Sequence, residues 1–363
     1  MDGGLVKVAF LGLSITSSWG NGHATNYRAL AQELSRRDHD VVFCERDVPW
    51  YAAHRDLARP PFCRLVLYRS FDELRQQAEA EIASADLVVV GSYVPQGAAI
   101  ADWALETAAG LTAFYDIDTP MTLGGLQSGD CDYLVAELVP RFDVYLSFTG
   151  GPALSRLERE LGARRAIAFY CLVDERAYVP VVTEVRWDLG YLGTYSPDRQ
   201  AKVQSLLIAP ARRAPALRFV VAGPQYPVSI DWPSNVERIE HVAPPGHPAF
   251  YCGQRFALSI TRAEMVRAGW SPSVRLFEAA ACGVPIISDR WPGIDQLFVA
   301  GEEILLADGT DELLDLLFTV AADQRQAIAD RARRRVLDEH TAAARVDQLE
   351  ELLSTRLADE VRA

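Results

Sequence analysis

"SVRLFEAAACGVPIISD" (273–289) reads as a helix, then a glycine, then a buried strand. Ser271 fits an N-cap ahead of it. Pro272 fits the first helical position, where its missing N–H costs nothing. The N–H groups of Ser273 and Val274 are then free, and with the helix dipole they make an anion site. Ala279, Ala280 and Ala281 allow close helix–sheet contact, and Gly283 suits the helix end. Glu278 lies about two turns in and can accept from two adjacent hydroxyls of a ribose whose phosphates sit at the helix start. The expectation is a seat for a nucleoside diphosphate. The plainer alternative is an ordinary helix with a capping serine and an exposed acid.

Outward from this stretch, short apolar runs alternate with longer amphipathic ones. The first set lies at 6–13, 40–45, 64–69, 86–92, 111–118, 144–148 and 166–173. Most lack period-2 alternation, as expected of strands buried on both faces of a parallel sheet. Helical segments at 23–37 and 70–84 fall between them. "DERAYVPVVTEVRWD" (174–188) is polar and aperiodic and reads as a linker. A second set of runs follows at 189–195, 217–223, 236–242, 256–260, 284–288 and 303–307, then a helical tail from 310 to about 356 whose arginines 331 and 333–335 read as a solvated face. This βαβα rhythm, stated twice, predicts two α/β doubly wound domains whose ligands sit at the carboxyl ends of the strands.

The 363 residues suit two domains. A net charge of −13 argues against a general nucleic-acid or anionic-membrane binder. No apolar run approaches the ~20 residues needed to span a bilayer. "LVKVAFLGL" near the start is too short and wrongly flanked for a secretory signal. The six cysteines form no C-x-x-C pair, so the expectation is reduced thiols, a cytoplasmic protein and no zinc.

Candidate site residues gather at strand ends. Arg199 and Lys202 follow a strand and the Gly193-Thr194 turn, at i and i+3 on the expected first helix of the second domain. Fixed cations there stabilise charge building on a departing phosphate. Gly223 and Arg262 close later strands, and His247 lies in a Pro-rich loop suited to holding a base. In the first half, "SITSSWGNGHATNYRAL" (14–30) is not a G-x-G-x-x-G fingerprint. Asn21, Gly22, His23 and Asn26 are candidates there, His23 for catalysis and the others on the acceptor side. Tyr93 and Gln96 close the fourth strand and join the acceptor side. Asp116 and Asp118 close the fifth, and either can serve as general base. A capping role is the alternative for both.

Several of these segments resemble a known family. "RLFEAAACGVPIISDRWPGIDQLF" (275–298) resembles the nucleotide-binding segment of GT-B glycosyltransferases, most closely the CgeB-type, or spore-maturation-protein, branch. "CLVDERAYVP" (171–180) and "YLGTYSPDRQAK" (191–202) resemble the entry to the donor domain of the large retaining family that contains sucrose synthase. "FYDIDTP" (114–120) and "NGHATNYRAL" (21–30) are similar to CgeB-type segments. The resemblance implies a GT-B fold: two Rossmann-like domains facing a cleft, with a C-terminal helix crossing back to the first. It implies domains at 1–180 and 181–345, with 346–363 as the returning helix and tail. By the same resemblance Gly193 approaches the donor phosphates, Arg199 and Lys202 neutralise the leaving diphosphate, and Glu278 takes the ribose. That family carries a first glutamate eight positions before the second; here the position is Trp270.

The expected function is transfer of a sugar from a nucleoside diphosphate donor, a UDP-sugar first. The acceptor is a small molecule, glycan or protein, and no cofactor or catalytic metal is expected. A GT-B-fold nucleotide-sugar epimerase and a non-catalytic nucleotide-sugar-binding protein are the alternatives.

Overall fold

The apolar runs become strands because unbroken Val, Ile, Leu and Phe can be satisfied only where both faces of a sheet are covered. The computed structural model describes residues 5–19 and 22–362, with side chains to residue 355 in the last helix. It divides into two compact units, Met1–Cys171 with Ala342–Ala363, and Leu172–Thr341. The expected boundaries, 180/181 and 345/346, lie in the irregular stretch that enters the second unit and in the first turn of the last helix.

The first unit holds β1 (Lys7–Gly12), β2 (Asp40–Arg46), β3 (Arg64–Tyr68), β4 (Leu87–Gly91), β5 (Leu111–Asp116), β6 (Val144–Ser147) and β7 (Ala166–Ala168). They form one parallel sheet in the order β3-β2-β1-β4-β5-β6-β7. Ala9 lies opposite Val42 on one side and Val88 on the other, and all three are buried. Ser70 caps the Phe71–Ala83 helix by accepting from the Glu73 N–H at 3.2 Å, while Glu73 reaches back to the Arg69 N–H at 2.8 Å, a variant of the capping box.

The second unit holds β8 (Trp187–Leu192), β9 (Phe219–Ala222), β10 (Val236–Ile239), β11 (Gln254–Ser259), β12 (Ile286–Ser288) and β13 (Leu305–Leu306), parallel in the order β10-β9-β8-β11-β12-β13. Each sheet reverses its winding once, between β1 and β4 and between β8 and β11. Loops that leave such a switch point diverge and open a crevice at the strand ends. Both sets of candidate residues fall there.

The last helix, Ala342–Arg362, belongs to the first unit and packs on the Gly22–Arg36 helix. Arg37 pairs with Asp347 (2.7 Å) and Glu350 (2.8 Å), and Arg345 donates to the Tyr170 carbonyl at 2.9 Å. The chain thus crosses back as a GT-B fold requires. The arginine run of the tail is more than a solvated face. Arg333 donates to the Ala281 carbonyl at 3.0 Å and closes the end of the Val274–Ala281 helix, while Arg335 pairs with Glu303. All six cysteines are free thiols. Among the described residues no helix is long and apolar enough to cross a membrane.

Candidate functional site

In the second unit, two glycines draw the ends of β8 and β9 together. The Gly193 N–H donates to the Ala222 carbonyl at 2.8 Å, and the Tyr226 hydroxyl donates to the Gly193 carbonyl at 3.1 Å. Gly223 has φ of +147°, and a Cβ there would lie 2.5 Å from the Gly193 carbonyl carbon. Arg238 braces this corner. Its guanidinium bonds the Val221 and Gly223 carbonyls at 2.6 and 3.1 Å and stacks on Tyr226 and Trp232.

The cations expected on one helix face go separate ways. The chain after β8 makes a 3-10 turn, Pro197–Arg199, before the helical segment 200–213. Arg199 folds back to donate to the Thr194 carbonyl at 2.7 Å, and its buried Nε has no hydrogen-bond partner. Lys202 points to Asp308 beyond β13 at 3.1 Å, a carboxylate that Arg290 also holds at 3.2 Å. Arg262 lies 3.5 Å from Asp198. At the end of β12, Asp289 accepts from the Thr261 N–H (3.0 Å) and hydroxyl (2.9 Å), and its other oxygen is buried without a partner. Burial pushes this carboxyl up to about 6.

The helix that opened the sequence reading starts later than expected. Ser273, not Ser271, is its N-cap, with extended backbone (φ −83°, ψ 141°) and no capping bond from its side chain. The first helical residues are therefore Val274 and Arg275. Ala279, Ala280 and Ala281 are fully buried, and Gly283 ends the helix at φ +69°.

Glu278 is only 4% exposed. It accepts from the Tyr251 hydroxyl at 2.7 Å. The Tyr178 and Tyr251 phenols are pushed well above their usual value, by burial first and then by the Glu278 charge. His247 lies 4.0 Å from the carboxylate; its Nδ1 accepts from Tyr178 (2.9 Å) while Nε2 donates to the Val242 carbonyl (3.0 Å). Both ring nitrogens are thus engaged, which leaves no edge to hold a base. Glu278 is an interior acceptor ringed by hydroxyls, not an exposed acid.

Trp270 has φ of +45°, a strained value for a bulky residue. Its N–H donates to Pro292 at 2.6 Å and its indole N–H to Gln296 at 2.8 Å. A Cβ on Gly293 would lie 2.5 Å from the indole, so the ring lies flat on that glycine. The position is shaped for an indole, not a carboxylate. Strain of this kind, held by surrounding contacts, is found at ligand sites.

In the first unit, Asp116 and Asp118 separate cleanly. Asp116 is fully buried and accepts from Tyr145 (2.5 Å) and Thr122 (2.7 Å). Burial, countered by those hydroxyls and reinforced by Asp118, pushes it up to about 6. It braces the strand end through these bonds. Asp118 accepts from the Tyr93 hydroxyl at 3.1 Å, and the His23 ring meets the edge of Tyr93 with centroids 5.5 Å apart. Burial lowers the His23 imidazole to about 4, so it is neutral at pH 7. Tyr93 and Gln96 both adopt positive φ (+63° and +62°), and Gln96 accepts from Arg46 at 3.1 Å. The Asn26 amide is tied to the Gly22 carbonyl at 3.0 Å. Asn21 lies outside the described residues.

Sequence reasoning missed three contributors. Glu45, fully buried at the end of β2, accepts from the Ile15 and Thr16 N–H groups and the Thr16 hydroxyl at 2.6–2.9 Å and so moulds the loop after β1. Trp19, His54 and Trp50 stack with successive centroids 5.0 Å apart. Arg275, read only as part of a helix, is buried at its start. An acid near the end of a buried strand and a cation one turn before the acid of a short apolar helix are the two signals that were available. Among the described residues no group of three or more His, Cys, Asp or Glu side chains is placed to hold a metal.

Residues 199–351 match a family model described as glycosyl transferase-like. No curated protein matches the chain by sequence. Solved structures match across nearly its whole length. The Anabaena protein HepE in complex with UDP and glucose superimposes with a TM-score of 0.73 at 14% identity, covering 96% of this chain and 100% of that one. Sucrose-phosphate synthase from Thermosynechococcus elongatus gives 0.69 at 13% identity, with 98% and 100% covered. An alpha-glucosyltransferase in complex with UDP-glucose and DNA containing an abasic site gives 0.68 at 12%, with 97% and 100% covered. The fold is GT-B, the glycosyltransferase fold, and the greater part of the second unit is glycosyltransferase-like in sequence as well.

Proposed function

We propose that this chain is a hexosyltransferase of the CgeB-type branch that moves a sugar from a nucleoside diphosphate donor, UDP-linked first, to an acceptor hydroxyl or similar nucleophile. The observation that carries the reading is the meeting of Gly193, Gly223 and the open N-terminus of the Val274–Ala281 helix at the switch point of the second unit. Backbone N–H groups and a helix start suit a diphosphate, and this corner belongs largely to the segment that is glycosyltransferase-like. UDP or UDP-glucose in the similar structures supports the choice of base.

In this reading the second unit binds the donor and the first binds the acceptor. Glu278 holds the ribose by exchanging its Tyr251 hydroxyl for a sugar hydroxyl. Gly193 and Thr194 lie along the diphosphate, and Arg199 turns from the Thr194 carbonyl to meet it. Lys202 and Arg262 contribute less, because Asp308 and Asp198 already neutralise them. Of the three catalytic candidates, the His23–Tyr93–Asp118 group is the set that can move a proton; Asp116 supports it from beneath. No divalent ion is needed where fixed cations and N–H groups carry the leaving charge, so EDTA leaves turnover unchanged. The six free thiols support a reducing compartment such as the cytoplasm.

The test is calorimetric titration with UDP, GDP, TDP and their sugars, followed by UDP release across an acceptor panel. Micromolar binding of one nucleotide, more than tenfold weaker in Glu278→Ala, is expected, with Arg199→Met weakened more than Lys202→Met. Binding of no nucleotide, or full affinity in Glu278→Ala, refutes the donor assignment. Trp270 at the position of the family's first glutamate favours one second reading, a nucleotide-sugar binder without turnover. Tight binding with no UDP release from any acceptor would establish it.

A further inference from the structure

Arg275 is 7% exposed and is the second residue of the Val274–Ala281 helix. Its Nε donates to the Leu192 carbonyl, its Nη1 lies 3.3 Å from the Ser273 hydroxyl, and its guanidinium sits 4.7 Å from the centre of the Tyr191 ring. No carboxylate among the described residues pairs with it. Its neighbours at this corner are different: Lys202, Arg262 and Arg290 each have an acid within 4 Å. A buried cation without a counter-charge is strongly disfavoured. Its place adds to the penalty, because the amino end of a helix is the positive end. Both penalties vanish if an anion binds there.

A second group points to the same spot. The Tyr191 hydroxyl is fully buried and has no hydrogen-bond partner. A Cβ built on Gly193 would lie 2.7 Å from that hydroxyl and 2.8 Å from Arg275 Nη2. The absence of a side chain at Gly193 therefore lets one phenol and one guanidinium close on the backbone at the end of β8. An unmade bond from a buried hydroxyl is costly, and a phosphate oxygen would complete it.

We propose that Arg275 and Tyr191, on either side of Gly193, seat the diphosphate of the nucleotide, with Arg275 as its principal counter-charge. This rests on the reading that the second unit binds a nucleoside diphosphate. Arg275 is then the chief cation that stabilises the leaving group, the role the family resemblance gives to Arg199 and Lys202.

Calorimetry with UDP, UMP and uridine on the parent, Arg275→Gln, Arg275→Lys and Tyr191→Phe tests it. Arg275→Gln is expected to weaken UDP roughly 30–100-fold while uridine binds as before, with Arg275→Lys intermediate and Tyr191→Phe about 3–10-fold weaker. Loss of UDP within threefold overturns the proposal, as does equal weakening of UDP and uridine, which marks a purely structural arginine. If Arg275→Gln fails to fold, Arg275→Lys and Tyr191→Phe decide by the same ratio. If the parent binds no nucleotide, it is the donor reading that fails, and inorganic pyrophosphate then tests the seat alone. A thermal shift present in the parent and reduced in Arg275→Lys upholds the seat; no shift in the parent, or an equal shift in both, overturns it.

Discussion

Replacing Gly223 with alanine should damage the second unit twice over. At φ +147° an L side chain is strained, by about 1–3 kcal/mol. The new Cβ would also lie 2.5 Å from the Gly193 carbonyl carbon and 3.0 Å from the Thr194 nitrogen. These are backbone atoms at the ends of paired strands, so they cannot swing aside as a flexible side chain would. Overpacking of this kind adds about 1–3 kcal/mol. The sum, about 4 kcal/mol, is a large share of the ~5–15 kcal/mol that holds a domain together. For a unit of this size it lowers Tm by on the order of 10 °C. Gly301→Ala is the control: φ is +80° and nothing lies within 4 Å of the added carbon, so only strain is felt. Scanning calorimetry of the parent and both variants, with and without UDP, separates the two terms. Gly223→Ala should melt well below Gly301→Ala and bind UDP at least tenfold more weakly. Equal melting of the two variants would show that β8 and β9 do not close on each other at these glycines. Unchanged UDP affinity would show that the corner is not the nucleotide seat.

Three further outcomes are expected. The raised Asp116 carboxyl (about 6, against 3.8) adds stability that is complete below about pH 4 and is lost as pH rises through 6, roughly 3 kcal/mol across that window; Asp116→Asn should flatten this slope in denaturation curves taken from pH 4 to 7, and a slope equal to the parent's would refute the assignment. Glu45→Ala removes the carboxylate oxygen that accepts both the Ile15 and the Thr16 N–H and the one that accepts the Thr16 hydroxyl, so the first unit should lose about 2–3 kcal/mol, read by urea denaturation, with hydrogen exchange of the Ile15 and Thr16 amides accelerated. Arg333→Met removes the donor to the Ala281 carbonyl and should cost about 1 kcal/mol without changing the fold, checked by the denaturation midpoint and circular dichroism.

The strands were legible because a doubly covered sheet demands unbroken apolar runs, and a run such as "DLVVVGS" has no other stable use. The returning helix was legible through its family resemblance, and the structure gives it a physical cause in the ion pairs of Arg37 with Asp347 and Glu350. The limits appear where partners are distant in sequence. Lys202 looks like a free phosphate-binding cation until Asp308 is seen beside it. Asp116 gives no hint in the sequence of the Tyr145 and Thr122 hydroxyls that it accepts from. Ser271 looked like the cap, but the helix opens two residues later, with Ser273 as its cap. Arg275 drew no notice, because burial of a single cation leaves no periodic mark.

The two crossings of the chain, after Cys171 and before Ala342, carry a cost during synthesis. The Gly22–Arg36 helix is made before the second unit, but its cover, the Ala342–Arg362 helix, is made only after the whole of it. At ~5–20 residues per second, translating 172–341 takes roughly 10–30 s. For that time the nascent first unit must wait with an apolar strip bare, while the second unit has all its own strands and can close. The protein is therefore expected to draw on a holding chaperone during translation, and a stop codon at position 342, which leaves 172–341 whole, should yield a chain that aggregates through its first half although its second half is sound.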